Sequence, residues 1–330
     1  MTRLNRRQFT ALAAAGLIAA PALRASAAGA EVTLKLGHLA NEQNSWHKAS
    51  VKFGEELARL TEGRVQVQVF ANESLGKEID LINGMQLGTA DMTITGESLQ
   101  NWSPMAALLA VPYAYPTLEK MDQVASGEIG KQIEADILAK AQIRPIGYFA
   151  RGPRNVTSNR EIKSPADLKG LKLRVPNVPL FVKTWEALGA APTPMAFGEV
   201  FTSLQNGTID AQENPLALIE SANFNEVQKF LNKTEHVRSW IYLTISELSW
   251  AKLSEADQQA VLEAAKTAQA HERELFLADE ERLAKVLQEK GMTFVDSDKA
   301  AFVAASRDAV LANVAPEIKS VVEQLFAAQG

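Results

Sequence analysis

The sequence predicts an α/β protein built from two similar lobes, and three observations support this. Strand-like and helix-like segments alternate from Val32 onward, which is typical of an α/β fold. A short helix followed by Gly-Thr-x-Asp and a strand occurs at Gly88 and again at Gly207, about one domain length later. From Ser254 to Gly291 no Pro or Gly interrupts the chain, which predicts a helix of about 36 residues. Such a helix is longer than a lobe is wide, so we expect it to span both lobes.

Composition limits the classes of function. The chain has 330 residues, a net charge of -5 and no long basic stripe, so nucleic acid is not an expected partner. It contains no cysteine, which excludes disulfides and Cys-based metal sites, and only four histidines. We therefore expect neither a metal ion nor a cofactor.

The N-terminus predicts export. Three arginines precede an apolar run from Ala11 to Ala22 that is too short to span a bilayer. Asn5-Arg6-Arg7-Gln8-Phe9 resembles the twin-arginine signal, and Ala25-Ser26-Ala27 offers a cleavage site. We predict a twin-arginine-type signal peptide over residues 1–30, cleaved near residues 25–30. The mature protein would then lie in the periplasm and would not be embedded in the membrane.

In the first lobe, strands are expected to end at polar residues. The predicted elements are strand Val32–Leu36, helix Ser45–Leu60, strand Val65–Val69, helix Lys77–Gln86 and strand Met92–Ile94, in a parallel arrangement. His38 follows the first of these strands and Glu97 follows the last. Open α/β sheets bind ligands at the carboxyl ends of their strands, so both are candidate site residues.

In the second lobe, Arg174 is the main candidate. Leu171, Leu173 and Val175 alternate with Lys172 and Arg174, so a strand here would turn the two cations away from its apolar side, and Pro176 would end it. Arg174 at this strand end is a candidate anion clamp; the alternative is a surface arginine paired with a local carboxylate.

The remaining elements of this half follow the same reasoning. We predict a strand Ile146–Ala150 leading into a loop at residues 151–154, a helix Leu180–Leu188 and an amphipathic tail helix from Asp298 to Gln329. Within the long helix, the run His271–Glu274 is predicted to be a solvated face.

Motifs for catalysis are missing. The sequence has no Gly-x-Gly-x-x-Gly, no phosphate loop and no Gly-x-Ser-x-Gly, and Leu275 stands where a zincin helix needs its second His. This favours binding without reaction.

Four segments resemble a known family, the extracytoplasmic solute-binding proteins of tripartite ATP-independent periplasmic (TRAP) transporters of the dicarboxylate-binding DctP type. These segments are Arg154–Arg160, Asp167–Pro176, Leu188–Ala190 with Pro194–Val200, and Gly207–Pro215. The resemblance implies a two-lobed periplasmic binding protein fold with a long helix spanning both lobes. It implies lobe I at residues 31–150 plus about 240–275, and lobe II at residues 151–239 plus about 276–330.

The resemblance also implies roles for single residues. Arg174 is similar to the arginine that takes the ligand carboxylate through two hydrogen bonds, and Arg154 to a supporting cation. Asn214 matches an amide that contacts the same acid group, and Phe197 an aromatic residue near the ligand. Glu97 falls where some members contact ligand hydroxyls or amines, whereas Glu78 and His38 align only loosely. Gln100 stands where sialic-acid-binding members have a further Arg, which argues against sialate.

The expected function is therefore a periplasmic receptor for a small organic acid, delivered to TRAP membrane permease subunits. The acid would be a sugar acid such as a hexuronate or aldonate, or a C4-dicarboxylate. One alternative is an exported lyase or hydrolase that acts on acidic sugars through Glu97 and His38. Another is a receptor that presents its ligand to a sensor kinase.

Overall fold

The structure is a computed structural model that describes residues 32–328. The predicted signal peptide and its cleavage site lie outside the described residues. Within the described part, no helix is both long and apolar enough to cross a membrane.

Residues 32–328 form nine strands and eleven α-helices. The strands are β1 Val32–Gly37, β2 Val65–Phe70, β3 Met92–Thr95, β4 Ile143–Ser158, β5 Lys172–Val175, β6 Ala191–Pro194, β7 Ala211–Asn214, β8 Phe230–Ser246 and β9 Thr293–Asp296. The helices are α1 Ser45–Leu60, α2 Glu78–Leu87, α3 Leu118–Ala125, α4 Glu128–Ala141, α5 Pro179–Ala187, α6 Val200–Gln205, α7 Leu216–Ser221, α8 Glu247–Trp250, α9 Glu255–Glu289, α10 Lys299–Asn313 and α11 Pro316–Ala327. Short 3-10 helices lie at Glu97–Asn101, Pro104–Ala110, Pro165–Leu168, Phe197–Glu199 and Phe224–Glu226.

One mixed sheet runs through the molecule in the order β2-β1-β3-β8-β4-β7-β5-β6, with β9 beside β8. The outer strands are parallel, because helices connect them as crossovers. The central strands β4 and β8 are antiparallel to each other, β4 is antiparallel to β7, and β8 is antiparallel to β3 and parallel to β9. The parallel arrangement predicted for the first-lobe strands β1, β2 and β3 is therefore confirmed.

Strands β4 and β8 join the two halves of the sheet. The first part of β4 and the last part of β8 lie on the β3 side, and their other ends lie on the β7 side. The predicted loop at residues 151–154 is wrong, because β4 continues through it with shifts of register at Arg151 and at Arg154. A β-bulge lets a strand change its twist without ending.

The long helix α9 was predicted correctly. It has 35 residues, and the Ser254 side chain caps it by accepting a hydrogen bond from the Asp257 amide. Its Val261 and Ala265 pack in a core cluster with β1 and α1, whereas Leu287 packs in a separate cluster with Ile209 of the other half. The helix therefore runs along both halves.

The repeated Gly-Thr-x-Asp turns are alike in structure. Gly88 ends α2 with φ of 78°, and Gly207 follows α6 with φ of 70°. Both values lie in the left-handed region, which glycine adopts without steric cost. Each turn leads into a short strand that ends at the centre of the molecule, β3 in one half and β7 in the other.

Two expectations about the C-terminal third are wrong. The tail is two helices, because Pro316 cannot continue α10 and instead begins α11. Glu272, predicted on a solvated face, is 1% exposed, because that side of α9 packs against α1 and β4. The division into lobes stays a prediction. One core cluster joins residues of both predicted lobes, including Leu108 and Val322.

Candidate functional site

A cavity of about 380 Å³ lies between the two halves of the sheet, at the carboxyl ends of β3, β5 and β7. This volume is typical of small-molecule sites, which span about 300–1,000 Å³. One wall consists of residues 73, 77–80 and 94–98 with Trp46, and the other of residues 174, 176–177, 194–197, 199 and 214. Arg151 and Arg154 from the crossing strand β4 also line it.

Arg174 lies at the end of β5, as predicted, and is 3% exposed, whereas Lys172 on the same strand is exposed. Its Nε and one terminal nitrogen donate to the Met195 carbonyl at 3.1 and 2.7 Å. It forms no ion pair with any side chain of residues 32–328. Burial lowers the pKa of Arg174 to about 10, so the group stays protonated at neutral pH. The cavity therefore contains a buried cation that has no carboxylate of residues 32–328 within salt-bridge distance.

Arg154 is also buried, but the protein neutralises it. Its Nε and one terminal nitrogen form a fork with the Glu213 carboxylate at 2.5 and 2.7 Å, and its other terminal nitrogen lies 3.3 Å from Glu97. His236 adds a hydrogen bond to Glu213 at 2.8 Å. Burial by itself would raise the pKa of Glu213, but the charge of Arg154 and the His236 hydrogen bond lower it to about 2.

Arg151 is a site residue that our sequence reasoning missed. It pairs with Glu97 through one terminal nitrogen at 2.7 and 2.6 Å, and its guanidinium lies 5.5 Å from the ring centre of Trp46. Its Nε is buried and has no hydrogen-bond partner among the described residues. In a regular strand, residues three apart point to opposite faces; the bulge in β4 lets Arg151 and Arg154 line the same cavity. The arginine at position 151 was visible in the sequence, but its direction was not.

Glu97 lies in the cavity wall as expected, and two arginines bind it. It is buried, and burial raises its pKa, but the charges of Arg151 and Arg154 outweigh burial, so the net shift is downward. Glu97 is therefore an ionised acceptor and holds the two arginines in place.

Asn214 and Phe197 both line the cavity. Asn214 is buried at the end of β7, and its amide nitrogen donates to Gln212 at 2.6 Å, which fixes the orientation of its side chain. The Phe197 ring is half-buried, with its centre 6.0 Å from the Arg174 guanidinium. Gln100 is used within the protein, since it accepts from the Leu180 amide at 3.0 Å.

Three further carboxylates, Glu73, Glu78 and Asp80, line the cavity without a cation partner among residues 32–328, and Asp80 is the exposed one of the three. Glu78 accepts from Thr95 at 2.6 Å, and Glu73 accepts from the Gly198 amide at 3.1 Å. Burial is the main cause that raises the pKa of each. Glu78 was a predicted site residue and Glu73 was not.

The structure does not bring His38 to this cavity. Its side chain is buried, its Nε2 lies 3.1 Å from His47 Nδ1, and it is absent from the cavity wall. Burial, and then the neighbouring His47, lower the pKa of His38 to about 3. The ring follows a strand end, as predicted, but packs behind the wall and stays neutral.

Contacts across the cleft hold the two walls together. Lys77 pairs with Glu199, Gly198 donates to Glu73, and the Asn101 amide donates to the Asn177 carbonyl at 2.8 Å. In residues 32–328 no cluster of three or more His, Asp or Glu side chains could hold a metal ion. The two walls are therefore in contact around a cavity lined by arginines, which can bind a small anion.

Known proteins similar to this chain include bacterial solute-binding proteins. Residues 36–315 match the family "Bacterial extracellular solute-binding protein, family 7" (DctP). A solute-binding protein of Roseobacter denitrificans is 72% identical over 306 residues, which are 92% of this chain and 94% of that protein. The 2,3-diketo-L-gulonate-binding periplasmic protein YiaO of Escherichia coli is 34% identical over 273 residues, 82% of this chain and 83% of that protein.

Solved structures agree with this family. The Roseobacter denitrificans TRAP periplasmic solute-binding protein with bound L-galactonate has a TM-score of 0.90 and 72% identity, covering 90% of this chain and 99% of that one. A Haemophilus influenzae TRAP periplasmic solute-binding protein with bound L-gulonate has a TM-score of 0.84 and 31% identity, covering 90% and 99%. The chain therefore belongs to the bacterial extracellular solute-binding protein family 7, and it is a solute-binding protein of the TRAP type.

Proposed function

We propose that this protein binds a six-carbon sugar acid of the aldonate type, such as L-galactonate, in the cavity between its two halves. The observation that carries the proposal is the Arg174 guanidinium, which is buried, charged and unmatched by a carboxylate from the described residues. A ligand carboxylate would supply the missing negative charge. The choice of an aldonate is supported by the ligand of the Roseobacter denitrificans relative.

The ligand carboxylate binds Arg174, and Asn214 contacts the same group. Guanidinium and carboxylate match in a planar arrangement, and such charge-assisted hydrogen bonds are roughly twice as strong as neutral ones. Phe197 covers the apolar side of this pair. Arg154 acts through its ion pair with Glu213, which keeps the cavity wall in place beside Arg174.

The ligand hydroxyls have donors and acceptors along the rest of the wall. Glu73 and Glu78 accept, while the unpartnered Nε of Arg151 donates. A ligand that lacks these hydroxyls would leave the Nε of Arg151 unpaired and the remaining acceptor positions of Glu73 and Glu78 unused, so these groups supply specificity. His38 contributes to folding and has no ligand contact.

Binding favours closure of the cleft. A ligand that contacts both walls stabilises the closed state over an open one by its additional contacts. The Lys77 pair with Glu199 closes the rim of the cavity in the same state. The protein then delivers the acid to membrane permease subunits from the periplasm, after export by the twin-arginine-type signal peptide.

We infer that the protein is not an enzyme. An acid or base built on Glu97 and His38 is not supported, because Glu97 is held ionised by two arginines and His38 does not line the cavity. A role in presenting the ligand to a sensor kinase involves the same binding site, and permease genes beside this gene would distinguish transport from it.

Calorimetry on the mature protein tests the proposal. The panel is L-galactonate, L-gulonate, D-galacturonate, D-glucuronate and succinate. We expect the tightest binding for an aldonate and recovery of the ligand unchanged by mass spectrometry after long incubation. Tighter binding of succinate, or conversion of the ligand, would refute the proposal.

A further inference from the structure

We propose that Glu73 and Glu78 act as a charge filter that restricts the cavity to ligands with a single carboxylate, so that sugar diacids are rejected. This inference rests on the proposed function and names the residues that limit its substrate class. It follows from a comparison of the charged side chains of the cavity wall that form ion pairs with those that do not.

The cations of the wall are already neutralised, with one exception. Lys77 pairs with Glu199, Arg151 with Glu97, and Arg154 with Glu213. In the part of the chain that the structure describes, Arg174 is the one cation of the inner wall without a carboxylate partner. The cavity can therefore neutralise one ligand carboxylate and has no second cation for another.

The unpaired anions of the inner wall are Glu73 and Glu78. Each has hydrogen bonds to a neutral donor, Gly198 and Thr95 respectively, and neither forms an ion pair among residues 32–328. Both line the same cavity as Arg174, and their charges raise its pKa, so they face part of the space that the ligand must occupy. They are acceptors that need hydrogen-bond donors from the ligand.

A sugar acid with one carboxylate matches both the unpaired cation and the two acceptor side chains. Its carboxylate neutralises Arg174, and its hydroxyls donate to Glu73 and Glu78. A second carboxylate has no proton to donate and would face two carboxylates of the wall in a water-poor cavity. Like charges placed together at an interface cost several kcal/mol.

A matched pair of ligands tests the filter in the wild-type protein. Galactarate is L-galactonate with the C6 alcohol oxidised to a carboxylate, so the two differ at one end only. We expect calorimetry at neutral pH to show that L-galactonate binds at least ~100-fold more tightly than galactarate, as the cost of facing like charges requires.

Charge-removing substitutions assign the effect to these residues. Glu78→Gln and Glu73→Gln each remove one charge and keep an oxygen acceptor for the Thr95 hydroxyl or the Gly198 amide. We expect the double variant to narrow the preference for L-galactonate over galactarate by at least ~10-fold. Glu55→Gln is the matched control for each single variant, because Glu55 is exposed on α1, does not line the cavity, and its substitution changes the net charge by one, as either single variant does. It should leave the preference as in wild type.

The outcomes separate the two proposals. If the wild-type protein binds L-galactonate and galactarate equally well, the filter is refuted and the proposed function stands. If it binds L-galactonate selectively but the folded double variant keeps the full preference, the filter does not involve Glu73 and Glu78. If it binds no sugar acid, the proposed function and the filter both fail.

Discussion

Arg154 and Arg174 are both buried cations in the cavity wall, but their surroundings differ. Arg154 lies in the central strand β4 and has Glu213 and Glu97 as partners. Arg174 lies at the end of the outer strand β5 and binds one backbone carbonyl. The first arginine has direct ion pairs within the fold, whereas the second has none among the described residues, which is why we propose it as the ligand-binding cation. The family resemblance implies that both arginines lie near the ligand. Their different partners indicate that Arg154 is the one needed for folding.

The largest expected effect is on folding, from Arg154→Met. The substitution leaves Glu213 buried without its cation, and breaking a buried ion pair from one side typically costs about 3–5 kcal/mol. Urea unfolding of the protein without ligand measures this loss. A loss below about 1 kcal/mol would mean that Arg154 is not a framework residue.

The next effect is on binding, from Arg174→Ala. We expect the affinity for L-galactonate to fall at least ~30-fold, because truncating one partner of a buried charged pair costs about 2–5 kcal/mol. Stability without ligand should change far less than in Arg154→Met, since Arg174 makes no ion pair in the described protein. Calorimetry and urea unfolding of both variants give the comparison. Wild-type affinity in Arg174→Ala would refute the assignment.

A third test concerns Glu272, a buried carboxyl group that does not line the cavity. Glu272 accepts from Ser45 at 3.1 Å and from the Ala150 amide at 3.2 Å, and burial raises its pKa to about 8. Above its ordinary pKa of 4.5 the unfolded chain loses this proton while the folded protein keeps it until about pH 8. Stability should therefore decrease as pH rises through this window.

Glu272→Gln should remove that decrease, because the amide keeps an acceptor and carries no charge. We expect the variant to gain thermal stability over wild type at pH 8 and to lose that advantage at pH 4. A difference in melting temperature between variant and wild type that is the same at every pH from 4 to 8 would contradict this interpretation.

The smallest expected effect comes from Ser254→Ala. Ser254 caps α9, and loss of such a cap costs about 1 kcal/mol. Urea unfolding should show this loss with no change in affinity for L-galactonate, because Ser254 does not line the cavity. A large change in affinity would mean that the N-terminal end of α9 influences ligand binding in the cleft.

Much of the site was predictable, and the exceptions have a physical cause. Arg174 at a strand end, Glu97 after β3 and Asn214 at the end of β7 follow from alternation and turn signals, because these are local properties of the chain. Arg151 was missed because a bulge, which depends on pairing with β8, turns it toward the cavity. His38 was misplaced because its partner His47 comes from a packed helix.

The sequence by itself determined the repeated turns, the capped long helix and the arginine at the end of β5. These depend on glycine conformation, capping and period-two alternation within a few residues. Only the tertiary structure decided which charges neutralise one another, because Arg154 and Glu213 are far apart in the chain and meet through β4 and β7. Pairing and burial together decide whether a buried charge is part of the framework or free for a ligand, and neither can be read from local sequence.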